Sequence, residues 1–159
     1  MTIGRKTTVA LLALLFMVAL VYATPVEAKK PLRWLTACSV NLPPWTPDNP
    51  TWIGDVYAED GAHGEFYWFN TEAEIYKNVN MQKFSGIWWA IWEDGSYVEG
   101  THEGSFTFAI SQYTINGRVT VATGQFSDLV GRKIHTVGIV DWTGGLYGIG
   151  YSEGVFQIN

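Results

Sequence analysis

From Trp52 onward the chain is written in short apolar runs, and turn-forming residues interrupt them about every 8–12 positions. Phe106, Phe108 and Ile110 alternate with Ser105, Thr107, Ala109 and Ser111. Val119 and Val121 alternate with Arg118, Thr120 and Ala122. Side chains of a strand point to opposite faces in turn, so this pattern gives one apolar face and one small or polar face. Asn116-Gly117 between the two runs predicts a hairpin, because both residues tolerate the positive φ of a type I′ turn. A second hairpin is predicted at Asp94-Gly95, between Ile87–Trp92 and Ser96–Val98. A turn at Glu59–Gly64 precedes an aromatic strand over Glu65–Asn70. Lys133–Val140 and Leu146–Tyr151 read as strands joined through Thr143-Gly144-Gly145, and Val155–Ile158 as the last strand.

Leu32–Val40 reads as a first strand. Asn41–Pro50 carries four prolines, which lack the N–H a ladder needs, and reads as an irregular arm. Thr71–Asn80 has some helical propensity, but Ile75, Tyr76 and Val79 suit a strand, and strand is the assignment. Eight or nine strands result. The predicted fold is all-β, a closed antiparallel barrel of about eight strands, and the late glycines from Gly138 to Gly154 serve as its bends.

The first 28 residues differ from the rest. Arg5 and Lys6 precede an apolar run of 14 residues, Val9–Tyr22, and Val26-Glu27-Ala28 offers small residues at a cleavage site. That order predicts a secretory signal peptide with a helical core, cleaved after Ala28 or, alternatively, after Ala23. The run is shorter than the roughly 20 residues of a spanning helix, so a retained membrane anchor is the second reading. The expected organisation is a signal peptide at 1–28, a strand and proline-rich arm at 29–51, and a barrel domain at 52–159. A secreted, periplasmic or cell-surface location follows, with N-terminal anchoring as the alternative.

Composition narrows the function. The net charge is −5, and removing Arg5, Lys6 and Glu27 leaves 8 basic against 14 acidic residues. Such a domain does not suit nucleic acid, whose phosphates call for clustered Lys and Arg. The single cysteine, Cys38, excludes an internal disulfide and reads as a buried thiol. Leu35-Thr36-Ala37-Cys38 has the form of a lipobox, but Glu27, Lys29, Lys30 and Arg33 separate it from the apolar run.

In the C-terminal half, Gly104-Ser105-Phe106 is followed by Gly124-Gln125-Phe126, by Gly131, by a long strand ending near Trp142 and by a glycine-rich last strand. This arrangement, over Ser85–Asn159, resembles the allene oxide cyclase and dirigent-protein superfamily. The resemblance implies an eight-stranded antiparallel barrel with an apolar interior. The Phe126–Gly131 spacing is one residue longer than the dirigent pattern, and no catalytic residue of that superfamily maps onto this chain. Avidin-like and lipocalin-like barrels share the same broad features.

Aromatic residues make up 15% of the chain, with eight Trp. Alternation puts Trp88 and Trp92 on one face of their strand and Trp89 on the other, and sets Phe66 and Trp68 against Tyr67 and Phe69. Rings on both faces predict either an aromatic-lined interior pocket or an aromatic outer face that packs against another subunit, a membrane or the N-terminal arm. Trp88, Trp92, Tyr67 and His135 are the ligand-binding candidates. His135 is singled out because it shares a predicted face with Val137 and Ile139, and a polar group on an apolar face is informative. His63 and His102 fall at predicted turns.

The carboxylates Glu59-Asp60, Glu93-Asp94 and Glu99/Glu103 also fall at turns and form no evident catalytic pair. No histidine pair has metal-ligand spacing, no nucleophile elbow is present, and no motif implies a cofactor. The expected function is that of an exported, non-enzymatic binding or structural barrel. Its ligand is expected to be a small apolar molecule or a glycan, with homo-oligomers forming through the aromatic outer face. The alternative is a small-molecule isomerase or cyclase of allene oxide cyclase type working in an apolar barrel pocket.

Overall fold

The structure is a computed structural model that describes residues 30–76 and 80–159. The predicted signal peptide lies outside the described residues. Eight strands follow one another: β1 (Leu32–Val40), β2 (Trp52–Ala58), β3 (His63–Tyr76), β4 (Met81–Trp92), β5 (Tyr97–Thr107), β6 (Gln112–Ala122), β7 (Lys133–Asp141) and β8 (Tyr151–Ile158). Each pairs antiparallel with its neighbours in sequence, and β1 also pairs with β8, so the sheet closes into a barrel. The expected first strand is thus a stave of the barrel. Closure leaves no open edge.

Alternation decides the inside. Along β7, Ile134, Thr136, Gly138 and Val140 are buried, while Lys133, Val137, Ile139 and Asp141 are exposed. The inward set from all strands forms one ring-rich core. Trp34 stacks on Phe156 at 5.9 Å and meets Trp92 edge-on at 5.0 Å, and Trp88 meets Phe156 edge-on at 4.6 Å. Phe66 lies against both Trp88 and Phe156. Rings of this size fit because glycines stand opposite them. A Cβ on Gly100 would come within 2.7 Å of the Trp88 ring and 2.3 Å of the Arg118 carbonyl oxygen.

One end of the barrel is plugged. A 3₁₀ segment, Gly124–Leu129, carries Phe126 and Leu129 into that end, where Phe126 packs 4.8 Å from Trp92 and 5.3 Å from Trp34. The plug is tied to the β4–β5 turn. The Gln125 amide donates to Ser96 Oγ at 3.1 Å, and Gln125 Nε2 donates to Asp94 Oδ2 at 3.0 Å. Asp94 in turn accepts from the Ser96 amide and hydroxyl, and these bonds hold its carboxyl below the usual range.

The Asp94-Gly95 turn forms as expected, with Gly95 at φ 81°. The Asn116-Gly117 hairpin does not. Both residues lie inside β6, which pairs with β5 from Gln112 to Ala122. Long ladders on both sides outweigh the local turn preference, and a Cβ on Gly117 would sit 2.0 Å from the Thr101 carbonyl oxygen. The chain reverses earlier instead, through a 3₁₀ turn at Phe108–Ile110 closed by Ser111 at φ 51°. Phe108 and Ile110 therefore do not continue a strand. Leu146–Ile149 is likewise loop, and β8 begins only at Tyr151. The segment after Asn70 is strand through Tyr76.

Gly100→Ala is expected to destabilise the barrel by about 1–3 kcal/mol, since neither the Trp88 ring nor the β6 backbone has room to retreat. Val121→Ala on the outside should stay within about 0.5 kcal/mol of the parent. Urea unfolding of the two variants checks the contrast.

Candidate functional site

The end opposite the plug is not filled. It holds a cavity of about 240 Å³ between the ends of β1, β3, β5 and β7 and the starts of β2, β4, β6 and β8. Its walls are mostly rings and aliphatic chains: Phe66, Trp68, Phe84, Phe106, Ile115 and Val140. Two loops frame the mouth. The proline-rich arm supplies Trp45, whose indole N–H donates to the Asn41 carbonyl at 2.8 Å. The β7–β8 loop supplies Trp142, which leans across the mouth to within 5.4 Å of Phe106 and 6.3 Å of Trp52. Leu42, Trp45, Trp142, Leu146, Tyr147 and Ile149 make the rim an exposed apolar collar.

The polar groups of the cavity are few and uncharged. Tyr113 on β6 points inward, and its ring lies on bare backbone. A Cβ on Gly138 or Gly154 would come within 2.3 or 2.2 Å of the ring and hydroxyl. The hydroxyl is close to Thr36 and Ser152, and burial holds its pKa far above the ordinary tyrosine range. Cys38 lies beside it. Burial first, and the Asp55 charge second, push its thiol up and keep it protonated. Asn70, Gln82 and Thr51 complete the polar lining. None of the lining side chains carries a formal charge at neutral pH.

Behind the wall sits His102. Its ring lies 4.2 Å from that of Trp68, and Asn70 Oδ1 accepts from both His102 Nε2 and Trp68 Nε1 at 3.0 Å. With the proton on Nε2, Nδ1 is left buried without a hydrogen-bond partner. Desolvation lowers the His102 pKa to about 3, so the ring is neutral at physiological pH.

The four residues singled out from sequence are separated by the fold. Trp88 and Trp92 face inward but pack within the core below the cavity. Tyr67 is on the outer surface, stacked on Trp89 at 5.2 Å, with its hydroxyl donating to Glu65 at 2.6 Å. His135 does share a face with Val137 and Ile139, but that face is the outside. It bonds Asn116 Oδ1 across the β6–β7 ladder at 3.0 Å and is no cavity group. The inward histidine is His102, placed mid-strand rather than at the expected turn. Its signal was present: it alternates in phase with Val98 and Phe106.

His63 starts β3 on the outer surface between two carboxylates. Nδ1 is 2.8 Å from Glu93 and Nε2 2.9 Å from Asp55, and these bonds raise its pKa. Among the described residues, no group of three or more His, Cys, Asp and Glu side chains is arranged to hold a metal ion. Among them, too, no helix is long and apolar enough to cross a membrane. Comparison with family models, curated proteins and solved structures yields no match.

The depressed His102 pKa makes stability depend on pH. The unfolded chain takes up a proton near pH 6.5, whereas the folded one resists until about pH 3. The stabilisation is therefore complete above about pH 6.5 and is lost progressively as pH falls toward 3. At pH 5 the loss should be about 2 kcal/mol relative to neutral pH. His102→Gln keeps an N–H for Asn70 and has no proton to take up. Denaturant unfolding at pH 7.5 and pH 5.0 should show the parent losing that much more stability than the variant.

Proposed function

We propose that this chain is an exported binding protein that holds one small, neutral, mostly apolar molecule in the open end of its barrel. The observation that carries the reading is the asymmetry of the interior: rings plug one end, and the other keeps a ring-lined cavity beneath an apolar collar. A cavity of about 150 Å³ takes up benzene, so about 240 Å³ suits a molecule of one to two rings or an equivalent aliphatic skeleton. The absence of charge in the lining selects against ions, which lose hydration on entry and meet no counter-charge. The Tyr113 hydroxyl, with Thr36 and Ser152 beside it, offers a hydrogen bond to one hydroxyl or carbonyl of the guest. Export rests on the leader-like segment at 1–28.

The isomerase or cyclase reading uses the same cavity. It would put Tyr113, not His135, beside the reacting molecule, because Tyr113 is the polar ring that the cavity holds.

Titration with the neutral two-ring probe 1-naphthylamine tests the site. One molecule should bind per chain, with a change in tryptophan fluorescence from Trp52 and Trp142. Ser152→Trp, which fills the cavity from its β8 wall, and Ala73→Trp, which fills it from the end of β3, should each weaken the probe at least tenfold, about 1.4 kcal/mol. Naphthalene-carboxylate should compete at least tenfold less well than its neutral methyl ester. Undiminished binding in both variants would put the probe elsewhere and end the reading.

A further inference from the structure

The outer surface of β6, β7, β8 and β1 is banded. A central row crosses it at one level: Thr114 on β6, Val137 on β7, Val155 on β8 and Leu35 on β1, each the register partner of the next. Tyr57 on β2 extends the row. Leu35 is 58% exposed, Val137 44% and Val155 39%, and Ile139 beside them is 53% exposed. This is a contiguous apolar strip on the outside of a barrel, not scattered single residues.

Charge flanks the strip unequally. On its plugged-end side stand Arg33, His135, Lys133 and Arg118. On its open-end side stand Glu153 and Asp141, with Asp55 next to Ala37. The described residues include six Lys and Arg, and half of them line this one border of an acidic protein. The face therefore reads basic, apolar, acidic along the strand direction.

We propose that this face pairs with the same face of a second copy about a two-fold axis running across the strands. That rotation lays each apolar row on its counterpart and sets the basic border of one copy against the acidic border of the other. A parallel arrangement would oppose like charges. Arg33 comes beside the partner's Glu153, and Lys133 opposite the partner's Asp141. Within one chain Arg33 and Glu153 are two outward positions apart, roughly 13 Å along the strands, and do not pair. Four strands of ~4.8 Å spacing and nine residues of ~3.4 Å rise give at most roughly 590 Å² per copy, or about 1,200 Å² in all. That is the low end for a specific interface, so the dimer should dissociate on dilution. The aromatic outer ladder of β3 and β4 is less suited to this role, since Trp89 is already covered in part by Tyr67.

Sedimentation of the full chain over a concentration series tests the proposal, with salt as a second variable. A monomer–dimer equilibrium that weakens with added salt is expected. Leu35→Glu, on an exposed side chain, should raise the dimer dissociation constant at least tenfold, as should Arg33→Glu or Glu153→Arg alone. The doubly reversed Arg33→Glu/Glu153→Arg chain should return to within a few-fold of the parent, because the two residues then meet with exchanged signs. A chain that stays monomeric throughout, with its own leader or nothing over the strip, overturns the proposal. So does a dimer indifferent to these changes, or one that the double reversal fails to restore.

Discussion

The ladder between β1 and β8 leaves the sheet without a free edge, and that closure governs the side chains of every strand. Once the circle is shut, each residue points either into a narrow common interior or out to solvent. The interior of an eight-stranded barrel is just wide enough for side chains to fill or to hold one small ligand. Here the filling is done by a few very large rings, and each ring needs its neighbours to give way. Trp88 lies where Gly100 offers no Cβ, and Tyr113 lies on Gly138 and Gly154. The abundance of Trp and Gly in this chain is thus one fact seen from two sides.

Filling is uneven along the axis. Trp34, Trp92, Phe126 and Leu129 crowd one end, and the 3₁₀ segment that delivers two of them is fastened to a neighbouring turn by Asp94 and Ser96. At the other end, rings stand around a space instead of occupying it. Titratable groups next to that space are held neutral by burial: Tyr113 and Cys38 stay protonated, and His102 stays unprotonated. The charged pairs lie outside, as with His63 between Asp55 and Glu93.

Much of the architecture was legible in the sequence, because period-2 alternation is a direct trace of which face is buried. It gave the all-β class, the closed barrel and the split of Trp88 and Trp92 from Trp89. Asn116-Gly117 misled because a turn signal reports only local backbone preference, whereas pairing with β5 and β7 fixed those residues inside a long strand. His135 misled for a related reason. Alternation groups Val137 and Ile139 with it but does not say which face is inward, and this barrel exposes more aliphatic surface than the interior rule suggests. A ring-lined pocket was legible only as one of two outcomes, and its place and lining were not legible. It is formed by residues from all eight strands and both mouth loops, and its defining property is missing volume, which no side chain announces.

The fastened plug has a kinetic corollary. A barrel blocked at one end is a vessel and not a conduit, so whatever enters between Trp45 and Trp142 leaves by the same opening. A newcomer must wait for the occupant to depart, because Phe126 and Leu129 close the far end to it. Turnover of the contents is then timed by the leaving step alone and does not quicken as more competitor is supplied.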